Sequence, residues 1–324
     1  MLTSLMAMAR MMKLLRINAR LPQPRISSSL HDPLGSAGRI NKIDREIKKK
    51  YAQLNKTIID LFKSIPSGEV NEASAGNYYY DFSSSRAAGF LDELQRLLDD
   101  VLVEGESSGR MWAGLHVQDA YQSGTAKANS ELASLSAAYA DSRPLAVILY
   151  SQPYITRLQL AYTKTYSDWR GLSDYSRQQL ASTIMEGIAR GDNPRNIESL
   201  IAKRLDVSKT YARQIAQTEI TNTLREANRR EVAEAKATLG LNTTMLWMSA
   251  LMVTTRKTHA SRHGKFYETE EIDLFYSEGG NRYNCHCAQT PALIMDGDPV
   301  ILESSQKRLD DARDKWDKLH GAKK

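Results

Sequence analysis

The chain has 324 residues, 41% of them hydrophobic and 25% charged, which is enough for two packed domains or for one domain with arms. No run of about 18 apolar residues occurs, so no membrane span is expected, and two closely spaced cysteines exclude the class of small secreted proteins stapled by disulfides. The net charge is +6, but residues 1–31 hold five basic residues and no acid, so the remainder is close to neutral.

Residues 1–40 are predicted to form a basic, Met-rich arm. The arm lacks the positive-then-apolar order of a secretory signal, because its basic residues lie among and after the apolar ones. Its composition is that of a mitochondrial transit peptide, and the alternative is an arm that becomes helical on a partner, where methionines suit an adaptable groove. The candidate partner- or DNA-binding residues are Arg10, Lys13, Arg16, Arg20 and Arg25.

The first half of the body is predicted to be helical. Apolar residues recur at helical spacing between Lys42 and Ile65, and Pro66 to Gly68 stop that helix. Residues 69–85 show no helical period and are predicted to be a loop with a tyrosine run. Helical spacing resumes from Phe90 to Val101. An Ala- and Ser-rich segment covers 111–140, and a helix begins at Pro144 and runs to Trp169.

Three helices with clear end signals are predicted between 173 and 240. Ser173 or Asp174 caps the first, which ends at Gly191 as at a C′ position. Asn193 caps the second, with a proline in its first turn. Ser208 opens the third, which runs to Gly240.

The character of the sequence changes after Gly240, where short strands become more favourable than helix. A last amphipathic helix uses Leu309, Ala312, Trp316 and Leu319. The predicted fold class is mainly α, a long helical N-terminal part with a small α+β C-terminal domain. The predicted organisation is an arm at 1–40, a helical docking region at 41–172, a domain at 173–300 whose α+β end starts near 241, and a helix with a basic tail at 301–324.

A histidine and cysteine cluster is the main candidate site. His259 and His263 stand at i and i+4, so on a helix they would share one face, and Cys285 and Cys287 alternate. Two imidazoles and two thiolates are a tetrahedral zinc set, so a structural zinc ion is the candidate cofactor. The same residues are also compatible with buried, hydrogen-bonded packing, because free cysteine behaves as a small hydrophobic residue.

Other chemistry has less support. A cysteine with His259 satisfies the composition of a catalytic thiol, but no local signature accompanies it. Glu219 on the third helix is a second candidate, against the alternative of a solvated or locally paired acid. Arg282 stands near the cysteines and can serve either an anionic partner or backbone carbonyls. No Gly-rich phosphate loop, nucleophile elbow or HExxH motif occurs, so we predict no catalytic residue and no enzyme.

Several motifs in one order resemble the phage head-morphogenesis family, the minor capsid proteins similar to the Mu F protein. The helix "GDNPRNIESLIAKRL" is followed by "YARQIAQTEITNTLREANRREVAEAKATLG", the strand "TTMLWMSA", the segment "TTRKTHASRHGKFY" and the closing "NRYNCHC". The resemblance covers about 175–290. The matching residues are Ile215, Ala216, Thr218 and Glu219, then Arg256, His259, Gly264 and Lys265, and finally Asn284, Cys285 and Cys287.

The chain departs from the family pattern at two places. "LMVTTR" stands where family members carry an acidic residue ahead of the Arg/His segment, and His263 stands where they often carry aspartate before the glycine. Activity or ion binding through those carboxylates is therefore not expected, and His263 instead completes a His/His/Cys/Cys set.

The resemblance implies a low-copy minor head protein of a tailed bacteriophage, found in the virion and in the host cytoplasm during assembly. The implied partners are the portal protein, the major capsid or scaffolding protein and packaged DNA, which the arm would contact in a salt-sensitive, sequence-independent way. Such a protein would lie at the portal vertex or procapsid interior and travel with the DNA on ejection. The alternative is a metal-dependent hydrolase, nuclease or toxin-like module carried in the head.

Overall fold

A computed structural model describes residues 22–70, 77–104 and 111–320 of the chain. Within those ranges the protein is mainly α-helical with two small sheets, which confirms the predicted fold class. None of the described helices is both long and apolar enough to cross a membrane. Of the five basic arm residues, Arg10, Lys13, Arg16 and Arg20 lie outside the described residues, and Arg25 lies inside them.

The first helices follow the predicted apolar spacing. Helix α1 spans Ala37–Lys63 and α2 spans Ser84–Leu102. Strands β1 (Ser67–Glu69) and β2 (Tyr78–Tyr80) pair antiparallel between them. The predicted loop at 69–85 therefore contains half of a hairpin, because the tyrosine run provides β-forming side chains.

Helix α3 spans Trp112–Leu135 and is followed by two short helices, α4 (Ala137–Ser142) and α5 (Leu145–Leu149). The helix predicted from Pro144 ends after five residues, and α6 (Gln152–Arg190) begins instead at Ser151, whose side chain accepts the Tyr154 N–H.

Helix α6 continues through residue 173, where the sequence predicts the start of a new helix. The Ser173 hydroxyl is fully buried and donates to Asp99 Oδ1 at 2.7 Å, so it joins α6 to α2 and caps nothing. Gly191 ends α6 with φ of 68°, as predicted. The predicted domain boundary at residue 172 thus falls inside a 39-residue helix.

Helix α7 spans Pro194–Leu239 without a break. The Asn193 cap is confirmed by its side chain accepting the Arg195 N–H, and Gly240 ends the helix with φ of 64°. The start predicted at Ser208 is wrong. Its hydroxyl is buried and bonds with Tyr51 Oη at 2.7 Å and Ser176 Oγ at 2.6 Å, so it links α7 to α1 and α6.

The long helices share one hydrophobic core. Helix α7 packs along α1, α3 and α6, and α2 packs on α6. Trp112 and Trp169 meet edge to face at its centre, with ring centroids 4.8 Å apart. This layer is the support on which the C-terminal part is built.

The C-terminal part contains β3 (Thr243–Met248), α8 (Lys257–Ala260), β4 (Phe266–Tyr267), α9 (Thr269–Ser277), β5 (Ala288–Met295), β6 (Asp298–Pro299) and α10 (Glu303–His320). The strands form an antiparallel sheet in the order β4-β3-β5-β6. Met248 at the end of β3 pairs with Ala288 at the start of β5, so the chain enters β5 directly from the cysteine segment.

The two terminal segments meet beside this sheet. In α10, Leu309 and Trp316 are buried as the amphipathic pattern predicts, whereas Leu319 is exposed. The Leu302 N–H donates to Gln23 Oε1 at 2.6 Å, and the Ser27 N–H donates to Met248 Sδ at 3.4 Å.

Candidate metal centre

A buried aromatic group forms the wall of the candidate site. Trp247 on β3 is fully buried, and its ring stacks on Tyr276 of α9 with centroids 5.4 Å apart. Phe275 contacts Trp247 edge to face at 5.3 Å and His259 at 4.9 Å. The Trp247 indole N–H is satisfied by Ser249 Oγ at 3.0 Å, so the ring position is fixed on both sides.

Three predicted ligands converge against this wall. His259 on the short helix α8 is buried, and its Nδ1 lies 3.4 Å from Cys285 Sγ and 3.6 Å from Cys287 Sγ. The potential ligand atoms of the three residues all lie within 4.8 Å of one another, the only such group among the described residues. The fold therefore brings together three of the four predicted ligands.

His263 lies outside this group. It follows α8 in a turn, so it does not share a helix face with His259. Its Nδ1 accepts the Ser249 N–H at 3.0 Å, and its side chain lies between β3 and α10 beside Leu309. Burial lowers the pKa of His263 to about 4, so its imidazole is neutral and structural.

The distances suit a tetrahedral metal ion. Zinc bonds of ~2.1 Å to nitrogen and ~2.3 Å to sulfur separate neighbouring ligand atoms by ~3.6 Å in a tetrahedron. The two Nδ1–Sγ distances, 3.4 and 3.6 Å, are close to that edge. The same separations also suit thiol–imidazole hydrogen bonds, so both predicted alternatives fit the residues present.

Arg225 of α7 holds the cysteine segment from the inside. Its guanidinium is 1% exposed and donates to the carbonyl oxygens of Cys285 at 2.5 Å and Cys287 at 3.4 Å. It also bonds to Asn222 Oδ1 and lies over the Tyr276 ring, 4.6 Å from its centroid. These bonds fix the backbone on both sides of residue 286 and so set the direction of both thiols.

Arg256 holds the preceding turn from the outside. Its guanidinium donates to the carbonyl oxygens of Gly280, Asn281 and Tyr283 at 2.8 to 3.0 Å. At the end of that turn, the residue at 284 adopts a positive φ of 50°, and its N–H donates to Thr218 Oγ1 at 3.2 Å. Thr218 thus ties α7 to the cysteine segment at a second point.

Electrostatics make one thiolate favourable at this site. Burial opposes ionisation of both thiols, but the hydrogen bond from Cys287 and the Arg225 charge lower the pKa of Cys285. The pKa of Cys287 is raised by that shared hydrogen bond and by burial. Cys285 is therefore the sulfur of the pair that ionises more easily, and a thiolate is the form that binds a metal ion.

The remaining candidates have structural partners. Glu219 is buried, and its Oε1 pairs with Lys164 Nζ at 2.5 Å; burial raises its pKa. His286 lies outside the ligand group, with its Nε2 2.7 Å from Gln217 Nε2. Sequence reasoning missed the roles of Arg225 and Arg256, because a single arginine gives no local signal that it binds carbonyls many residues away.

Residues 178–290 match the family model described as Phage Mu protein F like protein. This segment of the chain is similar to the Mu F-like family. The segment runs from the last turns of α6 through α7 and the sheet to the start of β5, so it contains the whole His/Cys/Cys group. The resemblance inferred from the motifs is confirmed. No curated protein and no solved structure matches the chain.

The Mu F-like match supports a role in phage head morphogenesis and a place in the virion. The motif residues now have physical tasks within the matched segment. Thr218 holds the cysteine segment, Arg256 holds the turn before it, and His259 faces both sulfurs. Arg225, which is not one of the motif residues, holds the cysteine segment as well.

Proposed function

We propose that the protein is a minor capsid protein that associates with the portal vertex or the procapsid interior during head assembly. The match of residues 178–290 to the Mu F-like family carries this proposal. The partners would be the portal protein and the major capsid or scaffolding protein, met in the host cytoplasm while heads assemble. The fold supports a docking role, because the helical layer offers long, rigid surfaces.

The N-terminal arm is proposed to contact packaged DNA and to leave with it on ejection. Arg25, the arm residue within the described range, is exposed and donates to Ser130 Oγ at 2.9 Å, which anchors the arm's base to α3. The four other basic residues precede this anchor. Their charge can neutralise a few phosphates, so binding should weaken steeply with salt.

Head association is testable by composition and by partner capture. The full chain should copurify with purified heads, and when co-expressed it should bind the portal protein of the same phage. Replacing the arm's basic residues 10, 13, 16 and 20 by glutamine should leave head association unchanged and remove salt-sensitive DNA retention. Absence of the chain from heads and from portal complexes would overturn the proposal.

We also propose that His259, Cys285 and Cys287 hold a structural zinc ion. The donor set is the sulfur and imidazole set that zinc prefers, and the fold places the His259 nitrogen at tetrahedral separations from both sulfurs. A bound ion would link α8 to the cysteine segment, and so hold together a part too small to depend on apolar burial alone.

Metal analysis with a matched histidine pair tests the zinc proposal. The purified chain should carry about one zinc, and His259→Gln or Cys285→Ser should bring it below about 0.2 per chain. His263→Gln is the control, since its side chain lies outside the group. Cobalt replacement should give thiolate-to-metal absorption that Cys285→Ser weakens. If the protein is free of zinc and removing metal does not change its stability, the zinc proposal fails and the three residues are buried packing residues.

The metal-dependent enzyme remains a second candidate because three protein ligands leave one zinc position for water, as catalytic sites do. A small cavity of about 30 Å³ adjoins the ligands, which is large enough for a water molecule. Among the described residues that line it, none is a carboxylate able to act as a general base. We therefore favour the structural role. Turnover of a phosphodiester or peptide that His259→Gln abolishes would reverse that preference.

A further inference from the structure

A groove between α6 and α7 encloses a cavity of about 520 Å³. Its walls are the helical stripes Asp168, Gly171, Leu172 and Tyr175 on α6 and Tyr211, Ile215 and Glu219 on α7. The two helices are consecutive and antiparallel, and each stripe covers about two turns, or roughly 10–12 Å. The turn before the cysteine segment closes one end with Arg282 and Tyr283.

Exposed tyrosines form the rim of this groove. Tyr175, Tyr211 and Tyr283 are 38%, 44% and 52% exposed, and the rings of the first two meet edge to face with centroids 5.6 Å apart. The floor between them is apolar, formed by Leu172 and Ile215. Tyrosine rings around an apolar floor are typical of the centre of protein interfaces.

The groove carries one cation without a carboxylate bound to it. Glu219 and Asp168 both pair with Lys164 Nζ, at 2.5 and 3.7 Å. Arg282 has no acid of the described ranges within ion-pair distance, although its charge acts on Glu219 from further away; its guanidinium donates to Tyr283 Oη and lies over that ring. An incoming acidic group would therefore meet an available guanidinium at the closed end.

Gly171 adds an independent observation. It lies inside the 39-residue helix α6, where glycine weakens a helix relative to alanine. No atom lies within 4 Å of the position a Cβ would occupy, so packing within the chain does not require glycine there. The missing side chain keeps the groove floor open for a group from outside.

We propose that this groove binds an amphipathic helix of another head protein, with an apolar side chain in the groove and an acidic residue within one turn of it. Ridges on a partner helix fit a groove between two helices, and two turns accommodate anchors at i, i+3 or i+4, and i+7. A single available arginine suits one carboxylate better than a nucleic-acid backbone, which presents a row of phosphates. This inference rests on one part of the proposed function, namely that the chain assembles with other proteins in phage heads.

Photo-crosslinking in assembling heads tests this surface. A benzophenone amino acid replaces Gln214, an exposed residue beside the groove, and Ala88 on α2 provides the control position. The crosslinked segment is mapped by mass spectrometry. We expect a helical segment of another head protein, with aspartate or glutamate within one turn of the crosslinked apolar residue, and no equivalent product from position 88.

Matched glycine variants then separate binding from folding. Gly171→Leu adds a side chain on the groove wall at a position where a Cβ meets no atom within 4 Å. Gly89→Leu on α2 is the control, because Gly89 too is an exposed helical glycine with no atom within 4 Å of a Cβ. Gly171→Leu and Arg282→Glu should each lower the crosslink yield about ten-fold or more, while Gly89→Leu should not. Thermal unfolding of Gly171→Leu should match or exceed that of the parent.

The outcomes are distinguishable. A crosslink to nucleic acid, to a second copy of this chain, or to a segment without an acid would overturn the proposal, as would a yield that Gly171→Leu leaves unchanged. If the chain is present in heads but position 214 gives no crosslink, the groove assignment fails and the head assignment stands. If the crosslink forms in cells but the chain is missing from heads, the groove assignment stands and the head assignment fails.

Discussion

Replacing Glu131 by glutamine should stabilise the protein above neutral pH. Glu131 lies on α3 against α7, is 3% exposed, and has few partners. Asn228 Nδ2 donates to its Oε2 at 3.3 Å, and Lys127 Nζ lies 4.0 Å from its Oε1. Its neighbour in the same interface, Glu231, is held by Arg143 and a tyrosine hydroxyl, so Glu131 is the poorly compensated acid of the two.

Burial raises the pKa of Glu131 from 4.5 to about 7. Between those two values the folded protein retains a proton that the unfolded chain has released, so the free energy of unfolding increases as pH falls through this window. Above about pH 7 the buried carboxylate destabilises the fold by about 3 kcal/mol. Below pH 4.5 both states are protonated and the contribution no longer changes.

Urea unfolding at pH 5 and pH 8 measures the effect. Glu131→Gln should raise the free energy of unfolding by about 2–3 kcal/mol at pH 8 and much less at pH 5. The glutamine amide has an acceptor nearby, because Asn228 Oδ1 is buried without a partner. Glu226→Gln is the control, since that acid is exposed and its ion pair with Arg230 is worth little. Parallel pH profiles for Glu131→Gln and the parent would refute the reasoning.

Three further changes test the helix ends and the site. Gly191→Ala should destabilise the protein more than Gly240→Ala. Both glycines adopt a positive φ, which costs alanine about 1–2 kcal/mol, but only at 191 would a Cβ also meet a backbone atom, Tyr78 O at 2.8 Å. Equal losses in thermal unfolding would contradict the clash. Ser208→Ala should lower the free energy of unfolding in urea by about 1–2 kcal/mol, because the buried hydroxyls of Tyr51 and Ser176 each lose a partner. An unchanged free energy would mean that the two hydroxyls find other partners. Arg225→Lys should lower the free energy of unfolding by about 2–4 kcal/mol, because an ammonium group cannot reach both cysteine carbonyls. It should also reduce the zinc content if the ion is present. Unchanged zinc content and unchanged stability would show that the guanidinium does not orient the thiols.

The helix ends that depend on local chemistry are predictable from the sequence. Gly191, Asn193 and Gly240 act through their own backbone or side chain, and each is found where it is expected. Ser173 and Ser208 carry the same local signal, but their hydroxyls bond across helices. A serine has the same appearance in both cases, so the sequence does not reveal that α6 and α7 run through these positions.

The candidate site is predictable as a set of residue types and not as a geometry. The cysteine pair and His259 meet because β3, α8 and the start of β5 are neighbours. The prediction for His263 assumes a continuous helix, whereas α8 ends at Ala260 and the chain turns His263 toward α10. The supporting arginines act over long sequence separations, which single-sequence periodicity does not encode.

Helix α7 has a consequence for dissecting the protein. Its 46 residues extend about 70 Å, with one end in the core of the long helices and the other against Trp247 and the sheet. One continuous helix thus belongs to two cores, and cutting near residue 172 would sever α6, which packs on α2, α3 and α7. Expression of the matched segment alone should therefore give an aggregating fragment, and limited proteolysis should find no early cut within 152–190 or within 194–239.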